Sequence, residues 1–371
     1  MAGKLLSAAL IVRDEERFLN DCLLSLRDVV DEIVVVDTGS RDRTRDIAAA
    51  HGARLAEYEW RDDFAAARNF AIEKSTGDWI LYIDADERVR RGERNAFERM
   101  LTDDSLVACK VRFHPRTGFT AYPELRLFRR DPRIRFAGPM HETVVPAVKA
   151  VANTDGKAIG MADLTIDHVG YDGDQSHKLQ RNLRILEIAI RKDPDRIYLW
   201  WHLGTVYRDL GRPSDAEAAW LEGVGRARAR PTRLADDGLC FIELAKLALV
   251  RGDDALGLVD EALALQPDNR LLHWLKSKAL IAHRRFEDAM PIIRTLTDVD
   301  AATLLEDASY DQAIFGASAF ADLGLCAFQL GRFAESERWF GRAEALAPDS
   351  LEFRTKRQLA AIRANGVREQ G

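Results

Sequence analysis

Two carboxylates, Asp84 and Asp86, follow an apolar stretch that starts at Trp79 and is typical of a buried strand. Residues i and i+2 of a strand point to the same side, so the spacing predicts that both carboxylates face one site. Two unpaired like charges repel each other, and a divalent cation between them offsets that repulsion. Because a hard cation with open positions suits a diphosphate, this stretch predicts a metal–nucleotide site.

Short apolar strands alternate with helices ahead of this stretch. The pattern predicts strands over residues 5–12, 32–36 and 53–58, and a helix over residues 64–74. Such alternation indicates a parallel sheet with right-handed crossovers, whose ligands bind at the carboxyl ends of the strands. The predicted strand ends carry the candidate binding residues Asp14, Glu15, Asp37, Asp84 and Asp86.

Each of these candidates also has a purely structural interpretation. Asp37 could cap the turn that contains Gly39, and Asp14 with Glu15 could start a helix, where the dipole favours acids. Arg68, in the predicted helix, could pair with an acid on a neighbouring element.

The next stretch of chain carries further polar candidates. It predicts a helix near residues 93–101, strands over 106–113 and 125–129, and a loop after Arg135 that enters another strand. That loop contains His141 and Glu142, and His168 lies at a last strand end. The alternatives are ordinary loop residues at 141 and 142, and a core histidine at 168.

The chain changes character near residue 174, where strand signals stop and Ala/Leu/Arg/Glu-rich helices begin. Two stretches fit the tetratricopeptide spacing, the first with Trp200, Gly204 and Trp220, and the second with Gly324 and Phe340. Residues 241–267 fit it less well, and residues 274–293 fit it more loosely still. The pattern predicts an all-α solenoid of three to four units, whose concave face would bind a peptide.

Bulk composition narrows the function classes. The 371 residues, 47% of them hydrophobic and 31% charged, suit two domains, and a formal charge of −6 does not favour a nucleic-acid partner. The four cysteines form no CxxC pair, which indicates neither a zinc site nor a disulfide framework. With no signal peptide and no apolar run of membrane-spanning length, we expect a cytoplasmic protein without an integral membrane segment.

The N-terminal half resembles the family 2 glycosyltransferases of GT-A fold. Four separated motifs carry the resemblance over about residues 5–170: Leu10 to Glu16, Val34 to Thr44, Ala67-Arg68-Asn69 with Gly77-Asp78-Trp79, and Ile83 to Asp86. The chain further resembles a subgroup that includes sublancin-type peptide S-glycosyltransferases and lipid-core glucosyltransferases. This resemblance rests on the tetratricopeptide repeats and on two motifs, Gly138-x-x-His141-Glu142 and His168-x-Gly170-Tyr171.

This resemblance implies a GT-A, Rossmann-like mixed sheet over residues 1–173 that binds a nucleotide sugar, followed by the helical repeats over 174–371. It implies that Asp37 contacts the base and that Arg68 holds the nucleotide. It further implies that Asp84 faces the ribose or a metal-bound water, and that Asp86, with His168, ligates Mg²⁺ or Mn²⁺. The family's usual Glu-Asp pair that supplies the base is not evident.

The predicted reaction is metal-dependent transfer of a sugar from a UDP donor, UDP-glucose or UDP-N-acetylglucosamine, to a peptide or protein acceptor. The resemblance implies that the transfer inverts the configuration at the anomeric carbon. Glu142 is the predicted base and His141 its alternative. The alternatives are a lipid-linked or polysaccharide acceptor, or a non-catalytic repeat scaffold. The sugar, the acceptor atom and the oligomeric state are not encoded in any motif.

Overall fold

The computed structural model describes residues 6–170, 176–232 and 234–368, which form two compact units. The first unit comprises the described residues up to Gly170 and the short segment Leu305–Ser309. The second comprises the remaining described residues from Ser176. The predicted domain limit at 173/174 and the motif residue Tyr171 lie outside the described residues.

The first unit is built on one eight-stranded mixed sheet, which confirms the predicted α/β GT-A class. Its strands are β1 Leu6–Val12, β2 Glu32–Asp37, β3 Arg54–Glu57, β4 Trp79–Tyr82, β5 Glu87–Arg91, β6 Leu106–His114, β7 Tyr122–Arg129 and β8 Ala158–His168. The strand order is β3-β2-β1-β4-β7-β6-β8-β5. Strands β1 to β4 pair in parallel, whereas β7 runs antiparallel to both β4 and β6.

Helices cover the sheet because each turns an apolar face toward it. They are α1 Leu19–Leu26, α2 Thr44–Ala50, α3 Phe64–Lys74, α4 Arg94–Thr102 and α5 Val145–Asp155. The buried residues of the unit form two clusters, one with α1 and α4 and the other with α3 and α5. Strands β1 and β2 pair Val12 with Asp37, which sets the carboxyl ends of these two strands side by side.

Two local predictions for this unit were wrong, and one strand was missed. Residues 83–86 form a turn and not a strand end, because β4 stops at Tyr82. The loop after Arg135 enters the helix α5 and not a strand, since Pro146 at its start favours the first helical turn. The strand β5 was not predicted, because its charged sequence, Glu87 to Arg91, lacks an apolar run.

The second unit is all-α in the residues that the structure describes, as predicted. Its helices are α6 Ser176–Lys192, α7 Ile197–Asp209, α8 Pro213–Ala229, α9 Leu239–Arg251, α10 Leu256–Leu265, α11 Arg270–Ala282, α12 Phe286–Thr297, α13 Ala317–Gln329, α14 Phe333–Leu346 and α15 Leu351–Arg368. Successive helices pack against each other, with small residues at several of the contacts. Gly204 of α7, for example, lies directly against the ring of Trp220 on α8.

Candidate functional site

The turn after β4 carries both predicted carboxylates and is fixed by the backbone. The N–H of Ile83 donates to Ala9 O (3.3 Å), and the N–H of Val169 donates to Asp86 O (2.9 Å). The Cys22 thiol donates to Asp84 O at 3.4 Å. The turn is therefore held by β1 and by the chain that follows β8.

The two carboxylates of this turn have different partners. Asp84 accepts a hydrogen bond from Nη2 of Arg68 at 2.8 Å, whereas Asp86 lies 3.2 Å from Nε2 of His168. The strand premise behind the prediction does not hold, since a turn does not alternate side chains as a strand does. That both acids face one cation stays a prediction.

Arg68 joins Asp84 to the predicted base Glu142. It extends from α3, where Asp63 caps the helix by accepting the N–H of Ala66. Its Nε donates to Glu142 Oε1, and its guanidinium lies over the rings of Tyr82 and Phe136 at 5.2 and 5.7 Å. The side chains of Arg68 and Glu142 are each only 11% exposed. The structural alternative for Arg68, pairing with an acid on a neighbouring element, is thus what the geometry shows.

The charges in this cluster shift the proton affinity of its acids. Burial pushes the pKa of Asp84 upward, but the guanidinium groups of Arg68 and Arg126 outweigh burial, and the pKa is lowered. Burial lowers the pKa of His168, but its hydrogen bond to Asp86 and the charge of that carboxylate outweigh burial, and the pKa is raised. Asp84 therefore stays ionised at neutral pH.

His168 is oriented by the carbonyl of Pro115, which lies 3.1 Å from its Nδ1. A carbonyl can only accept, so Nδ1 carries a hydrogen, and the hydrogen bond from Nε2 to the carboxylate of Asp86 then requires the protonated ring. Loss of the Nε2 proton would leave the lone pair of that nitrogen for a cation. A metal-binding histidine has this arrangement, with its second nitrogen bonded to a carbonyl. Gly170 allows the close packing here, since an added Cβ would lie 2.0 Å from Asp86 Oδ2.

The carboxylate of Asp86 and the imidazole of His168 fit Mg²⁺ or Mn²⁺ that also binds oxygens of a bound nucleotide. Within residues 6–170, 176–232 and 234–368, no group of three His, Cys, Asp or Glu side chains could hold a metal ion. Magnesium in nucleotide sites, however, is commonly held by one or two carboxylates together with substrate phosphates. Asp86 and His168 therefore suit a cation whose other ligands are diphosphate oxygens and water.

A second group of predicted residues lies at the ends of β1 and β2. The carboxylate of Asp37 accepts the N–H groups of Gly39 and Ser40 at 3.2 Å, and Nε of Arg45 at 2.8 Å. Burial would raise the pKa of Asp37, but these hydrogen bonds from Ser40, Arg45 and Gly39 lower it. Its side chain is fully buried, so the capping interpretation describes its visible contacts, and the contact with a base stays a prediction.

Asp14 and Glu15 join the β1–α1 loop to the β2–α2 loop. Asp14 Oδ1 accepts the N–H of Arg41 at 2.7 Å, and the N–H of Glu15 donates to Thr44 Oγ1 at 2.8 Å. Asp14 adopts a left-handed backbone with a φ of 55°. The Glu15 carbonyl accepts the N–H groups of Phe18 and Leu19 at the start of α1, as expected of a helix start. Both residues shape this edge of the sheet, and their binding role stays a prediction.

His141 and Glu142 belong to a short loop closed by a bridge between Ala137 and Thr143. His141 has a φ of 50°, a conformation that costs free energy in residues other than glycine and is often retained at functional sites. The N–H of Phe64 donates to Pro139 O at 2.9 Å, which ties the loop to the start of α3. The structure therefore brings Glu142, Arg68 and Asp84 together, as it does Asp86 and His168.

Sequence reasoning missed Glu87 and Arg126, which lie beneath the turn. The sequence pattern indicates Glu87 only as a third acid after the apolar stretch, and Arg126 only as one residue of the predicted strand over 125–129. Arg126 Nη2 donates to Glu87 Oε1 at 2.8 Å, and its Nη1 donates to Oε2 at 3.1 Å. A single arginine between Leu125 and Leu127, in a strand of buried residues, was the available signal of a buried ion pair.

Comparison with known proteins agrees with this architecture. The family model for glycosyl transferase family 2 matches residues 7–152, and a tetratricopeptide repeat model matches residues 244–298. A TPR repeat-containing protein of Synechococcus elongatus is 36% identical over 286 residues, which cover 75% of this chain and 70% of that protein. The chain belongs to the family 2 glycosyltransferases and carries C-terminal tetratricopeptide repeats. It is a glycosyltransferase by this membership.

Two relatives with more specific names match shorter stretches. The glycosyltransferase SunS encoded by the SPbeta prophage of Bacillus subtilis is 28% identical over 201 residues, 51% of this chain and 46% of SunS. The lipopolysaccharide core biosynthesis glycosyltransferase LpsC of Rhizobium meliloti is 31% identical over 177 residues, 44% of this chain and 65% of LpsC. This glycosyltransferase thus spans about half of SunS. In the described residues, no helix is both long and apolar enough to cross a membrane.

Proposed function

We propose that this glycosyltransferase transfers a sugar from a nucleotide donor, with the help of a divalent cation, to a peptide or protein acceptor. One observation carries the proposal: Asp86, His168, Asp84, Arg68 and Glu142 meet around the turn after β4. This set combines two residues that can bind a cation, an arginine that can bind an anion, and a carboxylate that can accept a proton.

Each residue then has a defined task. Asp86 and His168 would hold Mg²⁺ or Mn²⁺, which would offset the charge of the leaving diphosphate. Asp84 would face the ribose or a metal-bound water, and Asp37 the base of a UDP-sugar. Arg68 keeps Asp84 in place and adds positive charge next to the diphosphate.

Glu142 would take the proton of the acceptor as its atom attacks the anomeric carbon. A bond forms from the acceptor to that carbon, the bond from the carbon to the diphosphate oxygen breaks, and the configuration inverts. The hydrogen bond from Arg68 Nε holds the carboxylate of Glu142 in place. Glu142→Gln is expected to lower kcat about a hundredfold, while His141→Ala has a smaller effect. The reverse order would make His141 the base.

The acceptor class rests on the tetratricopeptide repeats, because helical solenoids present an extended concave surface to partners. A lipid-linked or polysaccharide acceptor is the second candidate, and the match to a lipopolysaccharide core transferase favours it. Parallel assays with peptide and lipid-linked acceptors distinguish the two.

A donor panel tests the proposal directly. Release of the nucleoside diphosphate from UDP-glucose, UDP-N-acetylglucosamine and other nucleotide sugars is measured with Mn²⁺ and with EDTA. We expect turnover with at least one UDP-sugar and its loss in EDTA. Asp86→Ala should lower turnover about a thousandfold, which corresponds to several kcal/mol of metal stabilisation, without unfolding the chain. If no donor is turned over or bound, the proposal is refuted. An active Asp86→Ala variant would refute the metal assignment.

A further inference from the structure

Glu87 closes a hydrogen-bonded ring over the turn that carries Asp84 and Asp86. Because β4 ends at Tyr82, the N–H of Asp84 has no strand partner. It donates to Glu87 Oε2 at 2.9 Å, and the N–H of Glu87 donates back to Asp84 O at 3.1 Å. The side chain of Glu87 therefore supplies the hydrogen-bond acceptor that a neighbouring strand would supply if β4 continued.

Arg126 holds Glu87 in that position from the neighbouring strand β7. Its two terminal nitrogens grip both Glu87 oxygens, at 2.8 and 3.1 Å. The guanidinium lies over the rings of Tyr82 and Phe113 at 4.7 and 4.8 Å, and Glu124 accepts a further bond from it at 3.2 Å. Bidentate pairing and ring stacking together leave the arginine little freedom to rotate.

Both members of the pair are buried, with 1% of Glu87 and 5% of Arg126 exposed. An apolar pair of similar volume is often as stable as a buried ion pair, because desolvation offsets the attraction. Such an apolar pair could not accept the N–H of Asp84. Stability alone therefore does not account for these two residues, whereas support of the turn does.

We infer that Glu87 and Arg126 are positioning residues, which set the backbone of the Asp84–Asp86 turn so that Asp86 faces His168. This inference rests on the proposed function for its metal-binding consequence. Neither side chain needs to touch the donor, since both are buried. Outer partners of this kind commonly change metal affinity about 10- to 100-fold when they are removed.

The test uses the full chain with the double substitution Glu87→Met and Arg126→Met. The pair is removed without leaving a lone buried charge, so we expect the variant to fold. Hydrogen exchange of peptides spanning residues 82–88 should show an Asp84 amide that exchanges at least about tenfold faster. The Mn²⁺ concentration for half-maximal turnover should rise about tenfold, with kcat at saturating Mn²⁺ within about twofold.

Arg90→Met is the matched control, because Arg90 lies on the same strand β5 and pairs with Asp167 on the surface. It should leave both readouts unchanged. Unchanged exchange at Asp84 and unchanged Mn²⁺ dependence in the folded double variant would overturn the inference.

If the double variant does not fold, Glu87→Gln decides the question, because it keeps the size of Glu87 but leaves a single acceptor oxygen for the N–H groups of Asp84 and Arg126. Faster Asp84 exchange with a severalfold higher Mn²⁺ requirement supports the inference, and wild-type values contradict it. If the wild-type chain shows no metal-dependent turnover, the proposed function fails, whereas exchange at Asp84 still decides whether Glu87 and Arg126 position the turn.

Discussion

The two units of this glycosyltransferase place their charges differently. In the sheet unit, Arg126 and Glu87 are both buried, with side chains 6% and 2% exposed. In the helical unit, the buried acids Asp237 and Asp322 pair with cations that stay 22% and 34% exposed. Other helical pairs, such as Arg251 with Glu217, lie near the surface.

The contrast indicates what each unit needs from its interior. Burying both partners of an ion pair has a large desolvation cost, so such pairs are expected where polar groups must be held in place. The helical unit only needs neighbouring helices to pack closely, and small residues achieve that without an ion pair whose two partners are both buried. The site therefore lies in the unit whose interior contains an ion pair with both partners buried, despite the desolvation cost of such a pair.

Arg68→Met tests the buried charges of the sheet unit and should have the largest effect. It leaves the carboxylates of Glu142 and Asp84 without their buried partner, so we expect a loss of about 3 kcal/mol in the free energy of unfolding. Nucleotide release should fall as well, because Asp84 loses its anchor. Denaturant unfolding of the sheet unit measures the first effect. A variant with wild-type stability and turnover would show that the buried network is dispensable.

Gly204→Ala tests close packing in the helical unit. A Cβ at this position would lie 2.1 Å from Trp220 Nε1, and the buried ring cannot swing away. The overpacking exceeds the gain in helix propensity, so we expect a loss of about 1–2 kcal/mol with unchanged donor turnover. Gly225→Ala is the control, since its Cβ would meet no atom within 4 Å, and it should gain about 0.5–1 kcal/mol. Similar effects at both glycines would contradict the packing argument.

Glu217→Gln addresses a surface pair and should have the smallest effect. Glu217 accepts two hydrogen bonds from Arg251, at 2.6 and 2.7 Å, but the arginine side chain is 46% exposed. Solvent screening limits such pairs to about 0–1 kcal/mol, and the thermal midpoint should move by no more than a few degrees. A loss comparable to that of Arg68→Met would erase the proposed difference between the units.

Much of the fold was predictable because it depends on local patterns. The helix over residues 64–74 agrees with α3, and the predicted strands agree with β1 to β3, since apolar periodicity fixes which face is buried. The strand β5 escaped because its residues are mostly charged. The helix α5 escaped because a β-branched run after a Gly-Pro loop favours a strand on propensity alone.

The sequence by itself determined the family, the mixed sheet followed by helical repeats, and the strand ends that carry polar residues. Only the tertiary structure decided the partners of those residues. Arg68 reaches Glu142 across 74 positions, and Arg126 reaches Glu87 across 39. Periodicity reports burial along one element and carries no information on such distant pairs. The Asp84–Asp86 turn is therefore defined less by its own spacing than by the buried charges that other strands and helices bring to it.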